Sequence, residues 1–178
     1  MRLTTGLVVA LLSIYVHAET RHAGAHVHGL NHVQIVLDGT TLQVNYEFPI
    51  AQLQEHDEHK HDGHKNDQSS NLSETEVKDK VAISELIRLP EDAECVEINT
   101  VYLVRNAVAD GNATEESGHQ DVVIEATMKC EQPDKVISLD FAPAFNKFDD
   151  LEKIEVEGMV GNRPISDMLS RKIASTSI

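Results

Sequence analysis

Between Glu55 and His64 the chain reads E-H-D-E-H-K-H-D-G-H, which places four imidazoles (His56, His59, His61 and His64) among four carboxylates (Glu55, Asp57, Glu58 and Asp62). Neutral imidazole nitrogen and carboxylate oxygen suit Zn²⁺, and also Cu²⁺ and Ni²⁺. The segment contains no thiolate donor. From Gln54 to Asn71 no side chain is aliphatic or aromatic, so nothing there can be buried to offset the entropy of ordering it. The expectation is a disordered His-rich loop over about 54–72 that collects metal. A plain solvated connection is the alternative, but clustered imidazoles interleaved with acids favour ligation.

A second group of donors differs in kind. Ahead of the first apolar run stands R-H-A-G-A-H-V-H-G, with His22, His26 and His28, and His32 follows at the start of that run. In an extended chain alternate residues share a face, so His26 and His28 point the same way and Val27 the other. His119 and Asp121 repeat that spacing. A fixed zinc site needs three or four donors at about 2.0–2.1 Å in tetrahedral array. His26, His28, His119 and Asp121 are its best candidates, because they can ride on strands. The loop histidines, lacking such support, are expected to bind more weakly and exchange faster.

These residues require a scaffold, and the pattern supplies one. Val33, Ile35 and Leu37, then Asp38-Gly39, then Leu42, Val44, Tyr46 and Phe48 form period-two alternation around a turn dipeptide, which predicts a hairpin ending at Pro49. The two outer ends of a hairpin are neighbours, so the first histidine group and the loop depart from one place. Ser73-Glu74-Thr75-Glu76 has the form of a capping box, predicting a helix that carries Val77, Val81, Ile83 and Ile87, with Leu86 off the stripe, and that stops before Pro90. Cys95 to Val104 reads as a strand with a break, and Ala109 to Gln120 as a surface loop. Val122 to Met128 and Val136 to Phe141 read as an antiparallel pair. Phe141, Phe145 and Phe148 surround Pro143 in an expected irregular packed segment, and Lys153 to Glu157 alternates as a strand. The end is ambiguous: Ile165, Met168, Leu169 and Ile173 fit a helix, while Ile173 to Ile178 fits a last strand. The expected class is α+β, a mainly antiparallel sheet with one or two helices.

At 178 residues the chain has room for one domain. Arg2, the apolar run from Leu7 to Val16 and the Val16-His17-Ala18 step match a cleaved export signal, too short to span a bilayer. The expected organisation is a signal peptide at 1–18 and a single metal-binding domain at 19–178. Export implies an oxidising compartment, the periplasm in a bacterium, where Cys95 and Cys130 are expected to pair. The alternative is two thiolate ligands, although C-x-x-C spacing is lacking. A formal charge of −15, from 30 acidic and 15 basic residues, argues against nucleic acid and anionic membranes as partners and favours cations.

The opening Gly24-Ala25-His26-Val27-His28-Gly29, the strand with Leu42 and Val44 leading to Pro49, the acid- and histidine-rich insertion, and the stretch from His119-Gln120-Asp121 to Cys130 with Cys95 together resemble the small periplasmic zinc-uptake accessory proteins of the ZrgA type. The resemblance covers most of the chain after the leader. Where that family carries a G-F-E-H-like step after the proline, this chain reads Leu53-Gln54-Glu55-His56, so only Glu55 and His56 correspond. The resemblance implies zinc capture in the periplasm alongside an ABC-type zinc importer. No H-E-x-x-H, nucleophile elbow or Gly-rich phosphate loop is present, so no catalytic residue is assigned and the protein is read as no enzyme. A zinc-dependent enzyme holding an activated water is the less favoured reading. A sensor that changes a partner-binding face with metal or pH is the other.

Overall fold

The computed structural model describes residues 29–53, 72–106 and 120–178. The expected signal segment at 1–18, His22, His26, His28, the histidines of 54–71 and His119 lie outside the described residues. Strands β1 (Leu30–Asp38) and β2 (Thr41–Pro49) form the expected hairpin, with Gly39 at φ +55 in the turn. Odd residues of β1 and even residues of β2 face the core, from Val33, Ile35 and Leu37 to Leu42, Val44, Tyr46 and Phe48. Burial of that face is the main force fixing the register, since a one-residue slip would expose every one of these side chains.

Around the hairpin a six-stranded sheet is built in the order β3-β4-β2-β1-β6-β7. Its other members are β3 (Cys95–Asn106), β4 (Gln120–Cys130), β6 (Lys153–Val160) and β7 (Arg163–Ser170). All neighbours are antiparallel except β1 and β6. Two short strands, β5 (Ser138–Asp140) and β8 (Ser175–Ser177), pair separately. The core lies between the inner face of the large sheet and a layer containing helix α1 (Glu74–Lys80), helix α2 (Ala142–Lys147) and irregular chain.

Several expectations are corrected. The capping box forms as read, the Ser73 hydroxyl accepting from the Glu76 amide while the Glu76 carboxylate accepts from Ser73. Those hydrogen bonds hold the Glu76 carboxyl below its usual range. The helix nevertheless ends at Lys80, and Val81 is extended at φ −148, ψ 133. Had it continued at 100° per residue, Leu86 would stand half a turn from Val77, facing away from the core. In the irregular path Val81, Ile83, Leu86 and Ile87 are all buried. Each such burial is worth roughly 1.5–3 kcal/mol, more than the roughly 1 kcal/mol net of a helical hydrogen bond.

Val122–Met128 and Val136–Phe141 are not partners: β4 lies between β2 and β3, while β5 pairs with β8. The segment around Pro143 is helical, with the proline in the first turn, where its missing N–H costs nothing. The chain end resolves to strand, because Ile165, Met168 and Leu169 lie in β7, paired with β6 across a Gly161-Asn162 turn.

Candidate metal centre

Strand register gathers the exits of the histidine-bearing segments. β1 begins where β2 ends, with His32 opposite Glu47. Pro49 is opposite Asp121 at the start of β4, and Gln120 is opposite Asn106 at the end of β3. The covalent chain then puts His28 two residues before Leu30, His119 one before Gln120, and His56 three after Leu53. All three segments therefore attach at one end of the sheet. β2 separates β1 from β4, so the first histidine group and His119 depart from points two strand spacings apart, about 10 Å.

The chain at Gly29 is held firmly. Gly29 is buried with φ +77, and a Cβ there would meet the Asp150 carbonyl oxygen at 2.9 Å and Glu152 Cγ at 3.0 Å. Its own carbonyl accepts from the Glu152 and Lys153 amides, both at 2.9 Å, which starts the β1–β6 ladder. The facing segment is fixed in turn by Arg171. Its guanidinium donates to the carbonyls of Phe145, Phe148 (3.1 Å), Asp149 (3.0 Å) and Leu151 (3.4 Å), satisfying the end of α2 and the turn after it. A planar, five-donor fork suits that convergence of acceptors. Next to Gly29, Asn31 is fully buried and donates to the Tyr46 hydroxyl at 3.1 Å. Burial pushes the Tyr46 phenol far above its ordinary range, with the Asn31 bond opposing. His26-Val27-His28 thus precede a rigid anchor rather than a loose strand end.

Of the residues expected to bind metal, Asp121 is the one the structure describes. It is buried at the head of β4. His22, His26, His28, His56, His59, His61, His64 and His119 fall outside the described residues. Cys95 and Cys130, opposed across β3 and β4 with Cα atoms 3.8 Å apart, form a disulfide. It sits at the far end of those strands from Gln120 and Asn106. The thiolate-ligand alternative is thereby removed.

A donor outside the expected set stands at the same end. His32 Nδ1 lies 2.9 Å from Glu155 Oε2, both side chains about one third exposed. The two residues are register partners across the parallel β1–β6 pair, and Glu47 faces His32 from β2. Alternation could have marked His32 as outward-facing, but no local signal joins it to a carboxylate more than a hundred residues away. Among the described residues no three His, Cys, Asp or Glu side chains are gathered as a ready-made metal cage.

The sequence model of the ZrgA family, described as zinc uptake proteins, matches residues 25–177. The chain belongs to the ZrgA family. The match begins at Ala25, so it includes His26 and His28 and every described element of this ZrgA-family chain. No curated protein matches it. The family is one of zinc uptake rather than of enzymes, in keeping with the donor chemistry.

Proposed function

We propose that this ZrgA-family protein is exported to the periplasm, captures Zn²⁺, and assists its delivery to an ABC-type zinc importer. The observation that carries the reading is topological: the attachment points of all three histidine-bearing segments lie at one end of a single sheet. Family membership supplies the ion. His26, His28 and His119, with Asp121, form the tighter site, and the insertion with His56, His59, His61 and His64 raises local zinc concentration. His22 belongs with the first group as an additional donor. The acid-rich composition adds long-range attraction for cations. Division into a fixed site and a loose collector suits an accessory that must bind an ion and then release it.

Calorimetric titration with Zn²⁺, Cu²⁺, Ni²⁺ and Mn²⁺ tests the reading. Zinc should bind with more than one class of site, and His26→Ala, His28→Ala and His119→Ala, each in protein lacking residues 55–64, should weaken the tighter class by at least about tenfold, roughly 1.4 kcal/mol. Full affinity after His119→Ala would remove the shared site, and absence of zinc binding would overturn the function. Delivery is tested by zinc-limited growth of cells with and without the protein, in the presence and absence of the importer. A growth benefit that persists without the importer would refute the partnership.

A further inference from the structure

We propose that the chain ahead of Gly29, residues 19–28, folds back across β2 and docks on the outer face of the sheet over Val123, at the head of β4. A pair of valines carries the inference. Val36 on β1 and Val123 on β4 both point away from the core, in register with Gln43 and Glu47 on the outward side of β2, and both strands have a neighbour on either side. Val36 is 42% exposed, whereas Val123 is fully buried although it stands apart from the core cluster. Flanking side chains do not explain the contrast, because Val36 lies between Gln43 and Met159 and Val123 between Glu47 and Leu103, pairs of similar size. A second layer therefore covers the corner at Val123 and stops short of Val36.

The extent of that cover is graded. Asp121, on the same face of β4, is also buried, and Leu103 and Glu47 are half-buried. His32 and Glu155, farther along the same row, keep about one third of their side chains open. Three stretches of chain attach at this end of the sheet, and the chemistry of the corner chooses among them. Glu47, Asp121 and Glu125 make it acidic, and Arg105 is already engaged by Glu125 at 3.4 Å. Residues 54–71 carry five acids against two lysines and no aliphatic side chain, while residues 107–119 carry three acids and neither lysine nor arginine. Like charges brought together away from water repel strongly. Residues 19–28 balance Glu19 with Arg21 and bring Ala23, Ala25 and Val27, so they remove Val123 from water without adding net negative charge.

Reach agrees with that choice. From Gly29 the corner lies about 10 Å sideways and about 10 Å along the strands, a diagonal of about 14 Å that five extended residues span. The family match begins at Ala25, so the residues just ahead of the anchor are part of the matched domain. Docking carries His26 and His28 off the line of β1 toward Asp121 and the point where His119 enters β4, closing the gap of two strand spacings. The inference deepens the zinc reading, on which the role of these histidines rests, but the docking itself needs no metal.

The test uses the zinc-free exported protein with ¹³C-labelled alanine and valine methyls, Val123 being assigned through Val123→Ile. Expected are nuclear Overhauser contacts from Val123 to Ala25 or Val27, and protection of Val123, relative to Val36, from a soluble paramagnetic chelate. Val27→Asp should abolish those contacts, expose Val123, and weaken zinc binding by about tenfold or more, the lower end of the cost of losing a support of metal ligands. Val27→Leu should preserve all three. Contacts from Val123 to Ala107 or Val108 instead, protection without contact to Ala25 or Val27, or equal exposure of the two valines would each overturn the docking and leave the zinc function standing. The expected contacts in a protein that binds no zinc would leave the docking standing and remove the zinc function.

Discussion

Gly29 offers a sharp check on how the chain is anchored ahead of β1, because two separate costs can be told apart there. Gly29→Ala would place an L-residue at φ +77, and its Cβ would press on the Asp150 carbonyl oxygen at 2.9 Å and on Glu152. The left-handed backbone costs about 1–2 kcal/mol. Overpacking against a segment that Arg171 holds rigid adds about 1–3 kcal/mol. The total is about 2–5 kcal/mol, a fall in Tm of roughly 4–20 °C for a domain of this size. Gly39 is the internal control. It also has positive φ, +55, but a Cβ there meets nothing within 4 Å, so Gly39→Ala pays only the backbone cost of about 1–2 kcal/mol. Urea unfolding of both variants, compared at equal m-value, isolates the packing component. Gly29→Ala should be less stable than Gly39→Ala by at least about 1 kcal/mol. Equal losses would refute the claim that Gly29 is locked against residues 150–152, and with it the idea that His28 precedes a rigid anchor.

Deleting residues 55–64 should lower the number of zinc ions bound while leaving Tm within a few degrees, since no apolar side chain is lost; calorimetry and thermal melts check both. Replacing Cys95 and Cys130 together by serine should cost roughly 3–4 kcal/mol, as expected from opening a cross-link of 35-residue separation, measured by urea unfolding, and should leave zinc stoichiometry unchanged because the bridge lies at the opposite end of β3 and β4. In alkali, Tyr46 contributes to the response. The folded state favours its neutral phenol, so this stabilisation is complete below the ordinary value of 10.0 and declines above it as the unfolded chain ionises. Phenolate absorbance near 295 nm from Tyr46 should therefore appear only with loss of the folded circular dichroism signal, and ionisation near pH 10 in intact protein would contradict its burial.

Local signals in the sequence were sufficient wherever one short stretch carries the whole physical cause. Asp38-Gly39 between alternating runs dictates the first hairpin, because turn chemistry and side-chain period act within a few residues. Ser73 and Glu76 start α1 by satisfying each other's backbone amides. Two cysteines alone in the chain have one possible bridge, and donor types in the histidine-rich segments suit a divalent ion such as Zn²⁺, Cu²⁺ or Ni²⁺ without any geometry. Gly161-Asn162 was an equally local hairpin signal, missed because Ile165, Met168, Leu169 and Ile173 also satisfy a helical period. Tertiary structure decided the rest, since burial is settled by what lies across the core. It cut α1 short so that Leu86 could be buried, separated β5 from β4, and laid β6 parallel to β1 across more than a hundred residues. The last of these joins His32 to Glu155 and clamps Gly29. No periodicity along the chain encodes that contact, because parallel neighbours are chosen by long-range packing rather than by a turn.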